Sequence, residues 1–460
     1  MWFDCLIVVG YLTVLLCIGL RGGRQVKSAT DFTAHGGRYG VAVIFATLAA
    51  SYIGGGFSSG NASEAISHGI GSTLALMGFA LAMMGIGRFL VGGVSRFGGA
   101  TTVGGILECD YGRGARMLCG VFSFLSCSGV VAAQMEAMGL TFRTLLGVPD
   151  VVGILLGFGI VVVYTTFGGI QSVIAADMVQ FLLLAIGMPL LLVGGLHRAG
   201  GLAAVTAALP AAYWNPLNGT TLWGFLSLFL SLAVGEALAP PYTQRLLLGR
   251  TPAVTARATV LSGAFAVPFF AVTGLIGLCA YALNPLGDAA TAMPRMILTV
   301  LPVGVRGLVM AAMVSIILSA ADGFLNGATV GLVCDCILPL FPKTSPSAQL
   351  RLLRYSNLLI AVAAVGLSLW LPNIFDILLV AYSFWCPVML VPLAAAFRGV
   401  RVPRRVLYGA VAAGLFASLF WTLLLSEPFG IHGSIIGLVV NAGVFFCSRI
   451  FSNTNRNILK

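Results

Sequence analysis

The chain has 460 residues, of which 59% are hydrophobic and only 8% charged; its formal net charge is +11 and its mean hydropathy +1.02. Soluble domains carry nearer a quarter charged residues, so this composition excludes a soluble globular protein and predicts an all-α polytopic membrane protein. It leaves a nucleic-acid reading of the net charge open only if the basic residues form one patch.

About 20 apolar residues cross a bilayer core, and apolar segments recur at 3–20, 39–65, 70–92, 115–142, 150–166, 172–196, 220–239, 256–283, 303–338, 352–371, 374–397, 405–425 and 429–448. This reading gives about 13 transmembrane helices. With the N-terminus outside, 21 of the 25 basic residues fall on cytoplasmic connections and only Arg143, Arg198, Arg295 and Arg306 face out. The positive-inside rule then orients the chain N-out and C-in across a cell (inner) membrane, and the charge becomes a topology signal and a contact with anionic lipid, with no need of nucleic acid. The first segment lacks a basic n-region and a small-residue cleavage site, so it reads as a retained helix. The ten cysteines lie almost all in apolar segments with no C-x-x-C pair, which supports neither a disulfide framework nor a metal site.

In chain order, the second segment contains Ser51-Tyr52-Ile53-Gly54-Gly55-Gly56-Phe57-Ser58-Ser59-Gly60-Asn61, too rich in glycine and small polar residues for an uninterrupted midplane helix. A break there exposes main-chain carbonyls and amides to a ligand, although close helix packing also selects Gly and Ser. Glu136, Asp177, Glu236 and Asp322 fall inside spans, where a carboxylate is costly and usually faces a cavity; no Lys or Arg is expected at comparable depth. The run Gly235-Glu236-Ala237-Leu238-Ala239-Pro240-Pro241-Tyr242 predicts a second interruption, five spans after the first. That spacing predicts a five-helix inverted repeat, with halves 39–196 and 220–397, one extra N-terminal helix and two extra C-terminal helices at 405–448. In 303–338, Ser315, Ser319, Asp322 and Asn326 recur at helical spacing on one face, either as a hydrogen-bonded seam or as half of an oxygen-lined cation site.

Several of these stretches resemble the sodium:solute symporter family, which contains proline, pantothenate, glucose, sialic-acid and choline transporters. They are Asp31-Phe32 and Gly36-Gly37-Arg38, Ala50 to Gly55, Tyr164-Thr165-Thr166-Phe167-Gly168-Gly169-Ile170-Gln171-Ser172-Val173 with Asp177 and Gln180, Gln244-Arg245, and Leu318-Ser319-Ala320-Ala321-Asp322-Gly323 with Leu325-Asn326. The resemblance covers essentially the whole chain and implies a LeuT-like single transporter domain, 1–460. It implies a sodium ion held by the carbonyls of Ala50, Ile53 and Ile316 and the hydroxyl of Ser319, with Asp177 near the exit path or a second ion site and Asp322 where several members carry an acid. A second hydroxyl that usually follows the serine is Ala320 here, which removes one oxygen ligand. Na+ is the expected coupling ion, with no organic cofactor.

By the same architecture the substrate lies at the midplane among Tyr52, Gly55, Ser58 and Ser59, Gln134 or Glu136, Trp223, Ser227 or Ser231 with Glu236, and Tyr382 or Trp385. With acids beside aromatics and no basic residue expected in the core, an amine or quaternary ammonium solute fits best, ahead of a neutral polar metabolite or a short carboxylate; Gly54-Gly55-Gly56 looks most like the choline-transporting branch. The expectation is sodium-coupled symport by alternating access, by a probable-monomer architecture whose partners are a small-molecule substrate and membrane lipids. Proton-coupled or uncoupled transport is the alternative, and a channel or transporter-derived sensor the distant one. An intramembrane enzyme lacks a constellation, because His35, His68, His197 and His432 lie far apart at helix ends or loops.

Overall fold

The computed structural model describes residues 2–24, 26–33, 37–370 and 374–458, with backbone alone for Phe158, 374–376 and 448–458. His35, Gly36 and Lys460 lie outside the described residues. The helices that matter are α1 (Trp2–Gly23), α2 (Val41–Tyr52), α3 (Asn61–His68), α4 (Gly71–Phe89), α5 (Arg113–Leu146), α6 (Asp150–Ala199), α7 (Leu222–Gly235), α8 (Pro240–Leu246), α9 (Pro252–Leu283), α10 (Val305–Val330), α11 (Pro346–Trp370), α12 (Ile374–Ser383), α13 (Cys386–Phe397), α14 (Arg404–Leu423) and α15 (Gly433–Ile458). No named strand forms among the described residues; one isolated bridge joins Tyr39 to Gly249. Among the described residues, eight helices are long and apolar enough to span a membrane, or up to 11 if each of three bent pairs counts as one span.

The sequence dictates where helices stop. α2 and the helical stretch 56–68 meet at 65° across Ile53 to Gly55, and α7 meets α8 at 51° across Glu236 to Ala239, at the two stretches expected to break. A third bend, 53° between α12 and α13, falls inside 374–397, which reads as one uninterrupted span in the sequence. α6 runs 50 residues, but Gly169 adopts φ +55°, so it is two helices meeting at a kink. A Cβ on Gly169 would come within 2.9 Å of the Phe32 backbone, and Phe32 itself is fully buried, so glycine supplies both the backbone conformation and the close approach.

α10 is the axle of the bundle. In its span 94% of the best window is buried, against 28% for α1 and α14. A helix apolar and small on every side can be enclosed by protein, so the polar positions 315, 319, 322 and 326 are buried like the rest. The broken α2 packs against α6, α8, α9 and α10. The connection that enters α2 and the one that leaves α8 are tied together: the amides of Arg38 and Tyr39 donate to the Leu248 carbonyl at 3.1 and 3.2 Å, and the Arg250 amide donates to the Tyr39 carbonyl at 3.0 Å.

Candidate functional site

The first break frees backbone. In an unbroken helix the Gly54 amide would bond the Ala50 carbonyl; here it donates to Tyr52 at 3.0 Å, and the wider turn over Gly56–Gly60 sends the Gly60 amide five residues back to Gly55 at 2.9 Å. No amide among the described residues donates to the carbonyls of Ala50 or Ile53. The break lies hard against α10 and α5: a Cβ on Gly54 would stand 2.8 Å from the Ala320 methyl, and one on Gly55 would stand 2.6 Å from the Ala137 methyl. Gln134 accepts the Gly55 amide at 2.8 Å.

Beside these carbonyls sits a buried charged cluster. Ser319 donates to Asp177 Oδ1 at 2.7 Å, and Thr47 donates to Asp177 Oδ2 in a close contact. Arg245, fully buried, reaches the same carboxylate at 2.8 Å, with further bonds to Thr47 at 2.9 Å and the Pro241 carbonyl at 3.0 Å. The expectation that no basic residue stands at depth is corrected here. Arg245 was counted with the cytoplasmic connections because it closes a short apolar stretch; the 51° bend that starts α8 carries it back into the bundle. Two buried ions are tolerable only when the remaining donors and acceptors are satisfied, which these bonds accomplish.

Asp322, one turn beyond Ser319, takes a close bond from Tyr164, while its Oδ1 and both amide atoms of Asn326 have no partner among the described residues. Formally, two carboxylates here face one guanidinium, leaving one negative charge. An all-oxygen donor set with a net negative charge suits a hard cation, so the residues present fit a sodium ion: the carbonyls of Ala50, Ile53 and Ile316 and the Ser319 hydroxyl would hold it.

The second break frees a side chain instead. Leu238 is held at φ +55°, a strained value for a branched residue, with Thr243 donating to its carbonyl at 2.6 Å. Glu236 caps α7 and is 5% exposed. Tyr242 of α8 donates to one of its oxygens in a close contact, and Tyr382 of α12 to the other at 2.9 Å; the Trp385 indole donates to the Ala237 carbonyl at 3.0 Å. The Tyr52 ring lies 6.4 Å from the Tyr242 ring, edge to face, and the Tyr52 hydroxyl donates to the Ser262 carbonyl at 2.5 Å. Among the buried carboxylates, Asp4, Asp177 and Asp335 each pair with an arginine, whereas Glu236 and Asp322 make no ion pair among the described residues.

Other expected site residues lie elsewhere. Glu136 is half-buried near Asp150 and Arg143 at the end of α5; two positions from Gln134 on a helix, it points away from the side that Gln134 faces. Trp223 is 62% exposed in the first turn of α7. Ser227 is buried, but its hydroxyl accepts the His432 amide at 2.8 Å, so the segment before α15 covers it. Ser58 and Ser59 turn back onto the carbonyls of Gly54 and Gly55 at 2.7 and 2.9 Å, while the Ser231 hydroxyl is buried with no partner among the described residues. Thr47, Tyr164, Tyr242 and the depth of Arg245 escaped the sequence reading. Tyr242 is the residue whose signal was present, six positions past Glu236 across the Pro240-Pro241 step.

Comparison with known proteins follows the same lines. The profile of the sodium:solute symporter family matches residues 32–416. The chain is 24% identical to the sodium/pantothenate symporter of Escherichia coli, over 97% of this chain and 96% of that one. It is 24% identical to the high-affinity proline transporter PutP of Bacillus subtilis, over 80% and 81%, and 26% identical to the human high affinity choline transporter 1, over 52% and 43%. A substrate-bound, outward-open Na+-coupled sialic acid symporter superposes with a TM-score of 0.81 at 19% identity, covering 96% of this chain and 97% of that one, which shows a shared fold.

Proposed function

Since the chain belongs to the sodium:solute symporter family, whose members are transporters that couple solute movement to sodium, we propose that this protein carries an amine or quaternary ammonium compound inward with sodium by alternating access. The observation that carries the substrate class is Glu236, a buried acid with no basic partner, set in a helix break among Tyr52, Tyr242, Tyr382 and Trp385. A cation there is held by charge and by ring faces. Arg245 does not oppose it, because its charge is committed to Asp177. In the same reading, Gly55, Ser58, Ser59 and Gln134 shape the wall of the substrate site, and Glu136, Trp223 and Ser227 stand outside it.

Sodium drawing the Ala50 and Ile53 carbonyls toward Ser319 pins α2 to α10; substrate then joins α7 and α8 to α12. Inward opening separates Ser319 from Asp177 and releases the ion. One charge moving down 100 mV yields about 2.3 kcal/mol, enough to concentrate a solute about 50-fold. We read the architecture as thirteen spans, counting each bent pair once, α6 as two helices and α15 as the last, with inverted repeats 39–196 and 220–397, the pair 405–448 appended, the N-terminus outside and the C-terminus cytoplasmic in the inner membrane. The unit is a monomer without an organic cofactor.

A second reading has one observation in its favour. Ala320 stands where a second hydroxyl would complete the ion site, and an unpaired Asp322 can carry a proton instead, so proton coupling is the rival. The test is thermal stabilisation of the purified protein by choline, glycine betaine, proline and pantothenate with and without sodium, then vesicle uptake of each hit. Stabilisation by choline or betaine that needs sodium supports the proposal; hits confined to anions overturn the substrate class, and uptake unaffected by replacing sodium with potassium overturns the coupling ion.

A further inference from the structure

The four basic residues left off the Arg- and Lys-rich side divide sharply. Arg143 pairs with Asp150 at 2.8 Å and Arg306 with Asp4 at 2.6 Å. Arg198, at the end of α6, and Arg295, on the short helix Ala292–Val300, have no side-chain hydrogen bond or ion pair among the described residues, and both line one cavity of about 500 Å³. That volume is within the usual range for small-molecule sites.

The one acid on its wall does not answer them. Asp288 is occupied locally, its Oδ1 accepting the Ala290 amide at 3.2 Å and its Oδ2 the Thr291 hydroxyl at 2.8 Å. The rest of the wall is mixed: Asn284 and Thr299 are polar, while Ile66, Leu283, Met296 and Val300 are apolar. Two guanidiniums against a single carboxylate leave the cavity wall with one surplus positive charge and a fork-rich donor set for carboxylate or phosphate oxygens, and the apolar wall suits a hydrocarbon attached to that anion.

We propose that this cavity binds an amphiphilic anion, a carboxylate or phosphate group carried on an aliphatic body, away from the Glu236 and Asp177 clusters. Ile66 belongs to α3, the second half of the first broken helix, and Leu283 ends α9, which packs on α3. An occupant therefore braces α3 against α6 and α9 and biases the bend on which alternating access depends. The anion has two sources, a phospholipid headgroup or a soluble organic acid, which share this chemistry.

The experiment uses the full chain in nanodiscs and reads binding, not uptake, so it stands apart from the transport proposal. Melting midpoints are measured in phosphatidylcholine discs, in discs with phosphatidylglycerol added, and in phosphatidylcholine discs titrated with octanoate, for wild type, the double variant Arg198→Gln/Arg295→Gln, and the control Arg143→Gln. A rise with either anion in wild type and in the control, with apparent affinity at least about tenfold weaker in the double variant, supports the site. A rise with phosphatidylglycerol alone assigns it to lipid, and one with octanoate alone to a soluble acid. No rise with either probe, or a rise that the double variant retains in full, overturns it. If the double variant does not fold, the single variants Arg198→Lys and Arg295→Lys, which keep the charge and lose the fork, are read the same way.

Discussion

The two helix breaks solve one problem by opposite means. The first is built from Gly54, Gly55 and Gly56, packed so closely on α5 and α10 that a methyl group at Gly54 or Gly55 collides with Ala320 or Ala137; what it offers is bare carbonyl oxygen. The second keeps side chains, holds Leu238 in a left-handed conformation and restarts with Pro240; what it offers is a carboxylate between two tyrosine hydroxyls. Neutral oxygens in a close-packed site suit a small ion stripped of water, whereas a side-chain charge among rings suits an organic cation. On this account the first break serves the ion and the second the solute.

The comparison breaks most severely at the ion side. Asp177→Ala leaves Arg245 charged and unpaired in the core, which costs on the order of 3–5 kcal/mol; a marked fall in melting midpoint and loss of sodium-induced stabilisation are expected, with Arg245→Met/Asp177→Leu together recovering stability but not sodium response. Gly55→Ala forces a methyl into Ala137 and is expected to destabilise by about 1–3 kcal/mol and to abolish uptake, while the same change at exposed Gly366, with open space around it, leaves both intact. On the solute side, Glu236→Gln keeps both tyrosine bonds possible and removes the charge. Cationic-solute affinity is expected to fall about tenfold or more in binding titrations, with sodium stabilisation preserved.

Two smaller changes sharpen the contrast. Ala320→Ser restores one oxygen beside the first break, so the sodium concentration for half-maximal stabilisation is expected to drop severalfold with the solute affinity unchanged. At the covering segment before α15, burial works against the Glu427 charge but is outweighed by bonds from His432, the Gly433 amide and Thr422, which hold its carboxyl down from 4.5 to about 2. A depressed acid stabilises the fold above its ordinary value and loses that contribution as pH falls toward about 2. The melting-point gap between wild type and Glu427→Gln is therefore expected to close on acidification from 4.5 toward about 2.

Composition and local pattern made the frame legible. Runs of apolar residues marked most spans, and glycine and proline marked the breaks before α3 and α8, because backbone freedom is a property of the residues on the spot. The bend between α12 and α13 is marked only by Pro387 in the first turn of α13, and a proline that starts a helix does not fix the angle to the helix before it, so 374–397 reads as one span. The depth of Arg245 was illegible for a related reason: its position depends on the angle at which α8 leaves the break, and an angle is set by packing, not by sequence spacing. Trp223 and Ser227 failed in the other direction, sharing a helix with Glu236 but lying about two and a half to three and a half turns nearer its exposed start. Gln134 and Glu136 could have been separated from the sequence, because two residues apart on a helix are on opposite sides.

The central claim is that a sodium ion at the Ala50, Ile53, Ile316 and Ser319 oxygens drives uptake of a solute held at Glu236. It is tested most directly by choline accumulation in vesicles carrying the purified protein, under an inward sodium gradient and with sodium replaced by potassium, in wild type and Ser319→Ala. The account predicts concentrative uptake with sodium, none with potassium, and a sodium requirement shifted to higher concentration in Ser319→Ala. Equal uptake in sodium and potassium, or a Ser319→Ala variant with the wild-type sodium dependence, would contradict it.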